Sequence, residues 1–282
     1  MNFGSYAELA RDIPLWSVRL PQDFDAIVGI PRSGVMVAHL LALHRNCMVG
    51  ELHSFVARPG HVSPTGGRGK KYRRYGTPRK ILIVDDCCNT GGSIGRAKKL
   101  LAPIANRFDI SYGAVYATIR STKYADYYLK TVEHPRCWEW NLFHCAVMRS
   151  SCVDIDGLLC PDPTGAQNDD GPKYIDFMAN TKPLHRPTVE IAQLVTSRLE
   201  RFRPQTEAWL KKQEIPYRNL VMAQYATGAE RRKAGRHARD KAEAYMETNA
   251  RLFIESNTKQ AQGIFKVSGK PVLCSETMKM FK

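Results

Sequence analysis

Two adjacent carboxylates, Asp85 and Asp86, close the apolar run ILIV at 81–84, and a glycine-rich stretch, Thr90-Gly91-Gly92-Ser93, follows shortly after. Backbone N–H groups at a helix start point at whatever fills the turn before it, and glycines admit a phosphate without a clash against Cβ. Carboxylates beside a bound phosphate repel it unless they hold something else. Ribose hydroxyls and a hydrated Mg2+ are the groups that suit them. The segment therefore reads a sugar phosphate, with the turn on the phosphate and the acids on the sugar. An ordinary strand-turn-helix with solvated or helix-capping acids is the plainer alternative.

A second acidic pair, Asp154 and Asp156 in CVDIDG, sits one residue apart at the end of another apolar run. Alternation along a strand sends both side chains to one side, and just past a strand end such a pair can converge on one metal. A carboxylate near Mg2+ attacks phosphorus, and a second acid two residues on protonates the leaving oxygen. That arrangement suits phosphoryl transfer.

Both pairs need strand ends to hold them. Strand-length apolar runs recur at 26–30, 47–49, 81–84 and 112–118, with helical patterns at 34–44 and 92–102 between them. A second series begins at 152–155 and continues through 192–197, 219–223, 252–256 and 270–274, with helical candidates at 204–213 and 236–250. Strands alternating with helices imply mostly parallel sheets. The restart implies two α/β domains, 1–150 and 151–282, with the boundary near 145–151 and no Pro/Gly-rich linker to mark it.

The stretch 57–80 is the one low-complexity segment, with five glycines, three prolines and eight basic residues, and reads as a mobile basic loop. The net charge of +15 divides as 21 Lys/Arg against 11 Asp/Glu in residues 1–150 and 21 against 16 in 151–282. Such a balance favours polyanionic partners, phosphorylated small molecules as readily as nucleic acid. No apolar stretch reaches the roughly 20 residues of a membrane-spanning helix, and the first residues lack a secretory layout, so a soluble cytoplasmic protein is the expectation. The eight cysteines, Cys87 and Cys88 adjacent among them, lack paired metal-ligand spacing and read as mostly reduced, buried thiols.

VDDCCNTGGS, with two hydrophobic residues, two acids, three spacers and Thr-Gly, resembles the phosphoribosyl-pyrophosphate signature of type I phosphoribosyltransferases. The resemblance implies that Asp85, Asp86, Asn89, Thr90, Gly91, Gly92 and Ser93 bind the activated sugar. IVGIPRSG at 27–34 is similar to the family's pyrophosphate loop, where Arg32, Ser33 and Gly34 would face pyrophosphate and a non-proline cis peptide is common. The basic loop would be the flexible loop that closes over the site, with Lys70, Lys71, Arg73 and Arg74 as candidates to neutralise departing pyrophosphate. Asn89 departs from purine-handling relatives, which commonly carry an acid there; an amide cannot accept a base proton in its place. The aromatic cluster at 137–144, with Trp138, Trp140 and Phe143, is expected in packing rather than on a base.

CVDIDG resembles motif one of the haloacid-dehalogenase superfamily, and further pieces follow in order. LVTSR supplies Thr196, ARDKAEAY supplies Lys241, and LFIESNTKQA resembles motif four with Glu255 in the acidic place. By this resemblance Asp154 is the nucleophile, Asp156 the general acid, and Asp154, Asp156 and Glu255 hold Mg2+. Ser256 and Asn257 follow Glu255 where a second acid is usual. Residues 160–180 are too few for a large cap, so a minimal cap is implied.

Fusions of these two domain types occur in bacteria and their phages, and this chain resembles one. The implied function is bifunctional: transfer of ribose 5-phosphate from phosphoribosyl pyrophosphate to a nitrogenous base with Mg2+, then hydrolysis of a phosphate monoester such as the nucleotide just made. A sugar-pyrophosphate sensor that binds nucleic acid, or a chain with only one active half, are the alternatives. Nucleic acid is not an expected partner, for no recognition-helix or RNA-binding signature occurs. A homodimer is an expectation by analogy.

Overall fold

The computed structural model describes residues 1–63, 77–168 and 170–282. The chain divides into two compact units, Asn2–Arg136 and Cys137–Lys282 together with Met1. This division falls ahead of the 145–151 boundary that the sequence pattern suggests. Residues 137–150 belong with the second unit because their bonds go there: Thr188 N donates to Phe143 O at 3.2 Å, and the Phe143 and His185 rings stack at 4.4 Å.

The first unit opens with β1 (Asn2–Gly4) and α1 (Tyr6–Arg19). A capping box starts α1, with Glu8 N donating to Ser5 Oγ at 3.1 Å and Ser5 N donating to Glu8 Oε2 at 2.8 Å. There follow β2 (Ala26–Gly29), α2 (Ser33–Arg45), β3 (Met48–Glu51), α3 (Leu52–Ala57), β4 (Lys80–Cys88), α4 (Gly92–Leu101), β5 (Asp109–Ala117) and β6 (Tyr127–Thr131). The five strands from β2 to β6 form one parallel sheet in the order β3-β2-β4-β5-β6. Ile81 to Val84 are fully buried, the continuous apolar run expected of an interior parallel strand. On α4, Ile94, Ala97 and Leu101 are buried at helical spacing and pack with Val28, Ile83 and Ala114. The chain turns one way from β2 to β3 and the other way from β4 to β5, which opens a crevice at the carboxyl ends of β2 and β4.

After β7 (Arg136–Trp138), the second unit contains β8 (Ser151–Val153), α5 (Pro172–Asn180), β9 (Ile191–Leu199), α6 (Arg203–Lys212), β10 (Tyr217–Ala223), α7 (Gly228–Ala234), α8 (His237–Met246), β11 (Leu252–Glu255), α9 (Thr258–Ser268), β12 (Val272–Cys274) and β13 (Lys279–Phe281). Its sheet runs β10-β9-β8-β11-β12-β13, parallel except for β13. Here too the winding reverses, between β8 and β11, and leaves a crevice at their carboxyl ends. Phe253, Tyr245, Ala261 and Ile264 form the core between sheet and helices. The helical pattern at 236–250 resolves into α8 alone, with α7 before it in a segment the sequence pattern leaves unassigned. All eight cysteines are free, and six of them are buried. Among the described residues no helix is long and apolar enough to cross a membrane.

Candidate functional site

In the first unit the crevice is built from the loop after β2 and the end of β4. The Pro31–Arg32 peptide is cis. Gly34 starts α2 hard against β4: a Cβ there would lie 2.5 Å from Val84 O and 3.0 Å from Asp85 Cα, so only glycine lets the two segments meet. That approach brings Ser33 to the acidic pair, its Oγ donating to Asp86 Oδ1 at 2.8 Å. Asp85 is 6 % exposed, and its Oδ1 accepts from Asp86 N at 2.9 Å. Burial, and next the charge of Asp86, push the Asp85 carboxyl up to about 8.

Gly91 turns the chain with φ +76°, and a Cβ at this position would lie 2.5 Å from the Tyr124 ring. α4 then begins at Gly92, and the amides of Gly92, Ser93 and Ile94 have no acceptor within the helix. They are the groups that the reading of Thr90 to Ser93 as an anion cradle requires. The strand end before it is fixed from below. Ser121 Oγ donates to Cys88 O at 2.7 Å, the buried Arg136 Nη2 to the same oxygen at 3.3 Å, and Thr118 Oγ1 to Asn89 O at 3.4 Å. Asn89 is exposed, and its Oδ1 lies 2.7 Å from His134 Nε2, a titratable neighbour that no local pattern announces. Asp85, Asp86, Ser33, Gly34 and the 90–93 turn thus come together. Lys70, Lys71, Arg73 and Arg74 lie outside the described residues.

In the second unit the switch-point crevice gathers Asp154, Asp156, Lys241 and Gln260 around one cavity of about 310 Å3. Lys241, 3 % exposed, reaches from α8 to donate to Asp154 Oδ2 at 2.6 Å, Glu255 Oε2 at 2.7 Å and Gln260 Oε1 at 3.1 Å. Burial alone would lower Lys241, yet Asp154 and Glu255 hold it above its ordinary value. Burial raises Asp154, with Lys241 pulling the other way. Thr196 lies inside β9 rather than at its end, accepts from Arg198 N at 3.2 Å, and lines a neighbouring cavity instead of the one at Asp154.

Asp156 lines the same cavity as Asp154, but its carboxylate is held by Arg198. Arg198, fully buried, donates from Nε to Asp156 Oδ2 at 3.0 Å and Oδ1 at 3.2 Å, and from Nη2 to Oδ1 at 2.6 Å. The guanidinium also meets Thr206 Oγ1 at 3.4 Å and lies 5.9 Å from the Trp209 ring centroid. Asp156 thus stands in a bidentate ion pair with a buried guanidinium, a partner that the implied general-acid role does not include. Arg198 stood in the sequence two residues after Thr196; its partner, 42 positions earlier, did not show. Arg231 and His237 also line the cavity without having been anticipated.

The two acidic sets differ as metal sites. Among the described residues no three His, Cys, Asp or Glu side chains converge as a metal site. Asp154 and Glu255 share Lys241 while Asp156 turns to Arg198, so the three do not fit the shared Mg2+ cage that the sequence suggested. Asp85 and Asp86 fit a hydrated Mg2+ better, since that ion is commonly bound through one or two carboxylates together with substrate phosphates.

A parallel α/β sheet with a phosphate turn and an acid pair at its switch point defines a sugar-phosphate-binding domain, and residues 6–148 match the phosphoribosyl transferase domain family. The match covers just over half of the 282 residues, and the chain belongs to that family. Among solved structures, the chain is similar to the Helicobacter pylori xanthine-guanine-hypoxanthine phosphoribosyltransferase, at 19% identity over 49% of this chain and 92% of that one, with a TM-score of 0.38. It is similar to a purine phosphoribosyltransferase from Pyrococcus horikoshii at 16% identity over 50% and 94%, with a TM-score of 0.35. An orotate phosphoribosyltransferase from Aeropyrum pernix is 16% identical over 45% and 70%, with a TM-score of 0.32. No curated protein matches the chain.

Proposed function

We propose that the first unit transfers ribose 5-phosphate from phosphoribosyl pyrophosphate to a nitrogenous base and releases pyrophosphate. The observation that carries this reading is the joining of the 90–93 cradle to the buried Asp85/Asp86 pair at one crevice, in a chain of the phosphoribosyl transferase domain family. The cradle takes the 5-phosphate through backbone amides, and the acids take the ribose hydroxyls. Arg32 and Ser33 face the pyrophosphate from the loop after β2. A Mg2+ arriving with the substrate would rest on Asp85 and Asp86 and neutralise charge on the leaving pyrophosphate. As the bond from C1 to pyrophosphate breaks, positive charge grows on the sugar, so fixed groups that hold the leaving anion dominate the rate. The test supplies phosphoribosyl pyrophosphate, Mg2+ and a panel of bases, and reads pyrophosphate and nucleotide by mass. Absence of pyrophosphate release from every base refutes the reading.

For the second unit we propose hydrolysis of a phosphate monoester. Asp154 attacks phosphorus, the bond to the leaving oxygen breaks as that oxygen takes a proton from solvent water, and a second water then cleaves the acyl phosphate, which releases phosphate and restores the Asp154 carboxylate. Lys241 keeps Asp154 oriented and offsets its charge as the phosphoryl group approaches, and Thr196, in the carboxyl half of β9, would hold a phosphoryl oxygen. The support is the convergence of Asp154, Lys241 and Ser197 on one cavity at a switch point. Phosphate release that survives Asp154→Asn refutes it.

A further inference from the structure

A second cavity of about 480 Å3 adjoins the one at Asp154, a volume within the range of small-molecule sites. Ser197, Arg231, His237 and Lys241 line both cavities, so these residues form the seam between them. Away from the seam the wall turns apolar, with Val221, Met222, Ala234 and the Tyr225 ring. Tyr225 OH donates to Asp240 Oδ2 at 2.6 Å, which pins the ring and presents a flat face.

The charge along this cavity is polar. α8 contributes His237 and Lys241 near its start, whereas Glu243 and Glu247 line the cavity further along; Glu247 lies six residues, ~9 Å of helix rise, past Lys241. Arg236 is engaged by Asp240 at 3.0 Å and Glu243 at 3.1 Å. Arg231 is differently placed: it donates through Nη1 to Ser197 O, and its buried Nε has no hydrogen-bond partner among the described residues. A buried N–H of this kind at the seam suits an oxygen of a ligand that spans both cavities. One end of the cavity therefore favours an anion, and the other favours a neutral group that is flat and largely apolar.

We propose that this cavity receives the organic group of the phosphate monoester, and that the substrate class is a nucleoside monophosphate: phosphate at Asp154, an oxygen on Arg231 Nε, and the base against Tyr225. The inference rests on the hydrolase reading and specifies its substrate.

The test uses the full chain, adenosine, inosine and uridine 5′-monophosphates, and glycerol phosphate as a probe without a flat group. Val221, 37 % exposed, and Ala234, exposed on α7, line the cavity from positions where a larger side chain leaves the core untouched. Val221→Trp and Ala234→Trp, checked for folding by circular dichroism, should each lower kcat/KM for at least one nucleoside monophosphate tenfold or more relative to glycerol phosphate, mainly through KM. Calorimetry of the same nucleotides on the Asp154→Asn chain, with and without Val221→Trp, gives a readout independent of turnover, and a tenfold loss of affinity is expected there also. No measurable nucleotide binding, or equal effects on nucleotide and glycerol phosphate, overturns the inference. Wild-type chain that releases no phosphate but binds nucleotide in a Val221-dependent way refutes the hydrolase reading alone and leaves the cavity's occupant supported.

Discussion

Replacing Lys241 with Met tests the electrostatics of the second crevice. Lys241 Nζ makes three hydrogen bonds, to Asp154 at 2.6 Å, Glu255 at 2.7 Å and Gln260 at 3.1 Å. Asp154 is 4 % exposed and Glu255 fully buried, so the variant leaves two carboxyl groups without solvent or a shared cation. Removing one partner of a buried ion pair costs about 3–5 kcal/mol. At roughly 2–4 °C per kcal/mol for a unit of this size, the unfolding temperature should fall by roughly 6–20 °C. The loss should depend on pH in a defined direction. Burial already raises Asp154 from 3.8 to about 8 with Lys241 in place, so without the lysine the folded state binds more protons than the unfolded state across that window. Stability of the variant then falls as pH rises, and because Asp154 of the unchanged chain shares that window, the deficit widens only as pH passes about 8. Adding Asp154→Asn and Glu255→Gln removes the uncompensated charges and should recover most of the loss. Thermal unfolding below and above that value decides the matter: a deficit below about 1 kcal/mol, or one that does not widen once pH exceeds about 8, refutes the assignment of Lys241 as the cation that these acids require.

Asp85→Asn with Asp86→Asn should abolish phosphoribosyl-pyrophosphate binding by calorimetry. The same pair of changes should raise the unfolding temperature at pH 8 and leave it unaltered at pH 4, because the raised Asp85 value makes folding costlier as pH climbs from 3.8 towards about 8; a gain of about 1–3 kcal/mol is expected. Gly91→Val should weaken the same ligand at least tenfold, since its φ is +76° and the new side chain meets Tyr124; adding Tyr124→Ala relieves the clash but not the backbone, so recovery by calorimetry should be partial. Ser121→Ala should cost about 1–3 kcal/mol in thermal unfolding by leaving the buried Cys88 carbonyl with one donor fewer.

The parts of the fold legible in the sequence were those with a local cause. The apolar run ending in Asp85-Asp86 marks an interior strand because both faces of a parallel sheet are covered, and the turn at Gly91 marks itself because no other residue takes its φ and its contact with Tyr124. The convergence of Asp154 with Lys241, 87 positions apart, was expected from the resemblance and is present as a 2.6 Å contact. What escaped was pairing at a distance. Nothing local in CVDIDG says that Asp156 will be taken by Arg198, and nothing in CCNTGG says that Asn89 will meet His134. The compact units divide at 136/137, ahead of the boundary near 145–151, because residues 137–150 contain no linker composition and bond to the second unit, Phe143 O with Thr188 N and Ser150 O with Arg251 N among them.

The two crevices solve the same electrostatic problem in opposite ways, and this bears on what each one can bind. Both place carboxylates at the switch point of a parallel sheet, where the low dielectric makes an isolated negative charge costly. In the second unit the compensation is built in, since Lys241 serves Asp154 and Glu255 while Arg198 serves Asp156, and the arrangement is complete before any ligand arrives. Two engaged cations are set against three carboxylates, and an anion that enters can draw further on Arg231, whose Nε is unengaged. In the first unit Asp85 lies buried beside a like charge, and its proton affinity is raised for that reason. That pair gains most from a ligand carrying hydroxyl donors or a divalent cation. A sugar pyrophosphate with Mg2+ would supply both, so this difference in compensation supports the ligand proposed for the first unit.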